Sequence, residues 1–331
     1  MWEVARKNRR KSLTLLILMG IVLIGLGFLI GTAFDAYQGG FFGIIIAMIL
    51  YFILLGVAFS QGASIMLKMA NAREVKKSDY PQLYNIVEEM QLASGMAQMP
   101  KVYVIDDPTP NAFAAGMTPE KSMVAVTTGL LKMMNRDELQ GVIAHEISHI
   151  INRDIRYMTI ATIMVASVAI LSQFFLRSMF YSRGRSRGSS GGGRGQIIML
   201  IVAVVMAILA PILIRLLYFA LSRKREYLAD ASAARLTRYP EGLASALEKI
   251  GNSTNSLKSA DKAMAPMYIA NPLKPKGQKL RNLSSTHPPL LNRIKILRAM
   301  GGTHSYNDYH QAYREVNNSH ASVIPRNALK K

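Results

Sequence analysis

Two uninterrupted apolar runs open the chain, Ser12–Thr32 (SLTLLILMGIVLIGLGFLIGT) and Phe41–Ser60 (FFGIIIAMILYFILLGVAFS). Neither contains a charge, and each reaches the roughly 20 residues a helix needs to cross a hydrocarbon layer about 30 Å thick. The connector AFDAYQGG has one charge, Asp35, so the pair predicts a membrane hairpin. A cleavable signal sequence is the alternative for the first run. That run exceeds the usual apolar region of roughly 7–15 residues, and no small-residue cleavage site follows it. Two further stretches come later. Tyr157–Leu176 is interrupted by Thr159, Thr162, Ser167, Ser172 and Gln173, whereas Ile197–Ile214 is strongly apolar. Between them lies RSMFYSRGRSRGSSGGGRG, a Gly/Ser/Arg linker that cannot pack a core. Its arginines favour the cytoplasm, whereas the lengths of the two runs favour full spans.

The rest of the chain has the rhythm of a water-exposed domain. Lys101–Asp106 (KVYVID) and Ser122–Thr127 (SMVAVT) alternate like short strands, and Ser78–Met90 and Arg136–Ile151 have helical spacing. The expected organisation is a hairpin over 1–60, the first part of a domain over 61–156, and a second hairpin over 157–221 with its linker at 177–196. The second part of the domain follows over 222–303, then a polar tail over 304–331. The fold class expected is a multi-pass α-helical membrane protein with an α+β domain.

Composition sharpens this. Half of the 331 residues are hydrophobic and 18% are charged, which suits a mixture of membrane-embedded and exposed parts. Forty Lys and Arg against twenty Asp and Glu leave a net charge of +20. Such a balance raises nucleic acid or anionic lipid as partners. The basic residues cluster beside the spans: Arg6, Lys7, Arg9, Arg10 and Lys11 before the first, and Lys68, Arg73, Lys76 and Lys77 after the second. No aromatic-interleaved basic motif is present, so anionic headgroups are expected and nucleic acid is not. The same bias places both ends of the first hairpin in the cytoplasm. There is no cysteine, which excludes disulfides, thiolate metal sites and a cysteine nucleophile.

Chemistry concentrates in His145-Glu146-Ile147-Ser148-His149. Asn135 as N-cap with Glu138 three residues on, and Leu139, Val142, Ile143, Ile147 and Ile150 on one face, put the pentapeptide inside a helix. At about 100° per residue the two imidazoles stand about 40° apart and one turn along, within reach of one metal ion. Glu146 flanks them and is placed to take a proton from an attacking water. A chance match on an amphipathic helix is the competing reading, and burying these three polar groups without a partner would be costly. A catalytic zinc wants a third protein ligand and one open position. Glu226-Tyr227-Leu228-Ala229-Asp230 offers two acids one turn apart. Glu226 could complete the ligand set with Asp230 bonding an imidazole behind it, or the two could be ordinary surface acids.

These residues together resemble the HtpX-type membrane zinc endopeptidases, relatives of the CAAX prenyl endoprotease. The likeness covers the first hairpin, Asn111-Ala112-Phe113-Ala114, HEISH, the second hairpin, EYLAD, and Thr286-His287-Pro288-Pro289 with Arg293. It implies a zincin-like metalloprotease domain and one Zn²⁺ per chain held by His145, His149 and Glu226. It further implies Glu146 as general base and Asp230 as support behind the ligands. The family's work implies cleavage of misfolded or damaged membrane proteins at the cytoplasmic face of a bacterial inner membrane, as envelope quality control and stress response. A catalytically silent membrane chaperone or scaffold is the alternative.

Other positions are read more broadly. His287 precedes two prolines, so it either projects towards the site as a transition-state donor or braces its loop. Asn111, Ala112, Phe113 and Ala114 form either an edge strand that takes up substrate or an internal strand. His304, His310 and His320 are expected to be solvated. The sequence leaves the oligomeric state open.

Overall fold

In a computed structural model the described residues are 2–35, 37–166, 223–253, 264–270, 287–318, 322–325 and 328–329. The chain divides into two compact units. One comprises residues 10–61 and 160–220, and the other residues 1–9, 62–159 and 221–331.

The first unit takes most of α1 (Trp2–Phe34) and α2 (Gly39–Met69), which include the two leading apolar runs. Among the described residues one helix, α2, is long and apolar enough to cross a membrane, and Leu16–Thr32 is a shorter apolar helical stretch. The outer faces of the pair carry exposed Ile17, Ile21, Phe41, Ile46 and Phe52. Their inner faces meet through glycines. A side chain on Gly27 or Gly31 would collide with the backbone of Gly43 or Gly39, and the reverse holds too. Close backbone approach through small residues is how helices associate where lipid removes the hydrophobic drive between them. The Tyr51 hydroxyl donates to the Leu16 carbonyl at 2.9 Å and pins the register. Gly43→Ile should therefore separate the helices. The check is melting in detergent, where a fall of several degrees is expected and an unchanged midpoint overturns this packing. The second hairpin's apolar runs fall largely outside the described residues, although residues 154–166 are helical.

The second unit is built on a four-stranded sheet and a helical layer. The strands are β1 (Ala72–Glu74), β2 (Lys101–Ile105), β3 (Ala112–Gly116) and β4 (Ser122–Thr127). Their order is β1-β2-β4-β3, with β2 parallel to β4 and the outer strands antiparallel to their neighbours. So β3 is an edge strand. The helices are α3 (Pro81–Ser94), α4 (Thr128–Met133), α5 (Arg136–Ile151), α6 (Arg223–Thr237), α7 (Pro240–Asn252), α8 (Leu290–Ala299) and α9 (Tyr306–Asn317).

Helix α5 lies at the centre, packed on α3, α6, α7 and the sheet. The capping box foreseen in the sequence starts it: Asn135 Oδ1 accepts from Glu138 N, and Glu138 Oε2 accepts from Asn135 N, both at 2.9 Å. Its central location explains Gly141, where a Cβ would strike the backbone of Leu243 on α7. The segment 304–331, expected to be a solvated tail, departs from that expectation. Ser305 and Asp308 cap α9, and Tyr309, Ala312, Val323 and Ile324 are buried in the core. Its polar residues mask a narrow apolar stripe. His304 is exposed and His310 half-buried, while His320 lies outside the described residues.

Candidate active site

The buried middle of α5 carries His145, Glu146 and His149, and α6 brings Glu226 and Asp230 against them. The imidazole Nε2 atoms of His145 and His149 stand 3.2 Å apart. Glu226 Oε2 is 3.7 Å from the first and Glu226 Oε1 is 3.5 Å from the second. Nitrogen and oxygen atoms bound at 2.0–2.2 Å to one tetrahedral ion stand about 3.3–3.6 Å from each other. The three side chains are therefore spaced as a metal-holding set requires, and they form a His-His-carboxylate group capable of it.

Behind this set stand two more carboxylates. His145 Nδ1 lies 3.0 Å from Asp230 Oδ1, and His149 Nδ1 lies 3.3 Å from Asp154 Oδ2. An imidazole whose Nδ1–H points at a carboxylate keeps its Nε2 lone pair available for a cation. Asp230 is itself held by Arg293, whose Nε and Nη2 donate to its two oxygens at 2.8 and 2.6 Å. Asp230 and Arg293 are both fully buried. Arg293 Nη1 also lies 3.7 Å from Glu226.

Electrostatics follow from this burial. Desolvation pushes the Glu146 carboxyl above its ordinary range, against the pull of the two imidazoles. Burial alone would raise Glu226 as well, but the imidazoles of His287, His145 and His149 close around it hold it well below. Burial would depress His145, yet Asp230 and Glu226 overcome that and lift it to about 9. The cluster thus favours added positive charge, which a proton or a divalent cation can supply.

His287 comes to the same place, with Nδ1 2.9 Å from Glu226 Oε2. The Asn111–Ala114 segment is also adjacent to this region through α5, which packs on β3. Every residue of β3 is buried, although it is a sheet edge. Residues 268–270 cover its beginning, whereas Gly116 at its end meets Thr159 and Ile155. Ile269 N donates to the Ala112 carbonyl at 3.0 Å, and Asn111 Nδ2 donates to the Ala270 carbonyl at 3.0 Å. The Phe113 and Tyr268 rings meet edge-on with centroids 5.2 Å apart. Partner numbers fall as the strand advances, so the segment runs antiparallel to β3. Arg293 Nη1 donates to the Ile269 carbonyl at 3.3 Å, tying this cover to the acid cluster.

Asp154 and Arg225 were not singled out by the sequence, and Arg293 only as part of a motif. Charged residues carry no mark of burial in a sequence, and only the fold turns these three inward. The one local hint was Asp154, five residues past His149 where the helical pattern ends.

Comparison with known proteins supplies the family. The model of peptidase family M48 matches residues 77–301, which contain all of these groups. A protease HtpX homolog from Dictyoglomus thermophilum is 46% identical over 91% of this chain and 95% of its own length. Those of Caldanaerobacter subterraneus and Streptococcus agalactiae are 42% and 41% identical, over 91% of this chain and 98% and 100% of theirs. Among solved structures, the crystal structure of S. mikatae Ste24p covers 90% of this chain and 67% of that one, at 20% identity and a TM-score of 0.45. The matched region, the length of the shared alignment and the His-His-Glu cluster within it agree: the chain belongs to peptidase family M48, among its HtpX-type membrane proteases.

Proposed function

We propose that the protein is a zinc endopeptidase of a bacterial inner membrane, acting at the cytoplasmic face on misfolded or damaged membrane proteins. The observation that carries this reading is the 3.2–3.7 Å spacing of His145, His149 and Glu226 with Glu146 buried beside them. Zinc, when bound by these three, supplies Lewis acidity to the scissile carbonyl and to an attacking water. The chain's own part is proton handling and placement. A Glu146 carboxylate oxygen takes the water's proton and returns it to the leaving amine. Asp230 orients His145, Arg293 holds Asp230, and His287 stands ready as a donor to oxyanion charge with its ring fixed against Glu226. A substrate peptide adds in extended form along β3, in the antiparallel sense now taken by residues 268–270, which it displaces. A scaffold without turnover has no use for a buried base at Glu146.

The basic flanks of the first hairpin rest on anionic headgroups, and no nucleic-acid partner is proposed. Multi-pass insertion with a cytoplasmic site follows from the charge bias. Two experiments test the reading. Protein purified in detergent should contain one zinc per chain, lose casein cleavage on chelation and regain it when zinc is restored. Native protein without zinc or turnover sinks the assignment. Because the chain lacks cysteine, Leu92→Cys reports orientation: Leu92 is 70% exposed on α3. A membrane-impermeant thiol reagent should label it only after lysis. Labelling of intact cells overturns the cytoplasmic placement.

A further inference from the structure

The structure assigns to Asp154 the role of positioning residue for His149, with Arg225 holding Asp154 in place. This rests on zinc being held by His145, His149 and Glu226. Asp154 is fully buried, and its Oδ2 lies 3.3 Å from His149 Nδ1. Its other oxygen, Oδ1, faces Arg225 Nη1 at 3.7 Å. The Arg225 guanidinium is itself buried and stacks over the Tyr157 ring, 4.9 Å from its centroid. The arrangement repeats on His149 what Asp230 and Arg293 do on His145: carboxylate on Nδ1, guanidinium on the carboxylate.

The backbone is bent to make this contact. Helix α5 stops at Ile151, Asn152 stays right-handed, and Arg153 takes a left-handed φ of 57°. A non-glycine residue rarely adopts that conformation, and its strain persists only where surrounding structure demands it. The demand here is the return of Asp154, first residue of the next helical stretch (154–166), against the ring of His149 five positions earlier. A lone carboxylate at such depth would be costly, and Arg225 offsets that cost. Arg225 also immediately precedes Glu226, so the same ion pair anchors the backbone of the third ligand. With Nδ1–H committed to Asp154, the His149 ring presents Nε2 towards His145 and Glu226.

The test is zinc affinity by competition with a chromogenic chelator, with folding followed separately by circular dichroism of the metal-free protein. Asp154→Ala should weaken zinc binding about 10–100-fold, and Asp154→Asn should fall between it and native. Arg225→Gln should weaken it in the same direction. Arg153→Gly, which fits a left-handed backbone without strain, should keep native affinity. The d–d spectrum of the cobalt-substituted protein should shift in Asp154→Asn, a change that a merely structural role does not produce. Asp154→Asn that is folded, with native affinity and an unchanged cobalt spectrum, overturns the inference. Native protein that binds no zinc instead overturns the site reading on which it rests.

Discussion

Glu146→Gln should retain stoichiometric zinc and lose casein cleavage by roughly 100–10,000-fold, the usual contribution of a positioned acid–base group. Glutamine keeps the size of the side chain and cannot take a proton, so packing in the centre of α5 is preserved while the base is lost. Glu146 is 2% exposed, and its desolvation raises the carboxyl pKa. His145, His149 and Glu226, the proposed zinc ligands, are untouched by the change. Turnover in detergent and zinc per chain by atomic absorption are the two readings. Near-native cleavage by Glu146→Gln would remove Glu146 from the chemistry, whereas loss of zinc with activity would make it a support for the metal site.

Asp230→Ala should be a folding defect as well as a site defect. Spacing alone suggests an outer group whose loss costs about 10–100-fold in affinity or activity. The structure adds Arg293, which is fully buried and gives two of its donors to Asp230 at 2.6 and 2.8 Å. Removing the acid leaves a guanidinium whose remaining nearby carboxylate, among the described residues, is Glu226 at 3.7 Å. Breaking a buried pair from one side costs about 3–5 kcal/mol. Asp230→Ala should therefore show a clearly lowered denaturation midpoint in detergent, even without metal. Replacing both partners, Asp230→Leu with Arg293→Met, should recover much of that loss because no buried charge remains. A single Asp230→Ala variant that unfolds with the native protein would mean the pair is not closed in solution.

The sequence by itself determined where the leading apolar helices lie, the extent of α5 and which of its residues carry the His145–Glu146–His149 turn. Apolar runs without charge and a 3.6-residue period are local signals, as is a cap three residues from its partner. β2 and β4 were visible for the same reason. The competing readings of Glu226 and Asp230, as surface acids or as site groups, could not be separated by spacing. Only the packing of α6 against α5 decided that both are buried at the histidines. The same holds for the Asn111–Ala114 segment: sheet order makes β3 an edge, and residues 268–270, remote in sequence, cover it. The C-terminal segment was misjudged because a narrow stripe of Tyr309, Ala312, Val323 and Ile324 is outnumbered by polar residues. Asp154, Arg225 and Arg293 were the least legible. A charge is buried only when a counter-charge from another part of the chain meets it, and those meetings are made by the tertiary fold alone.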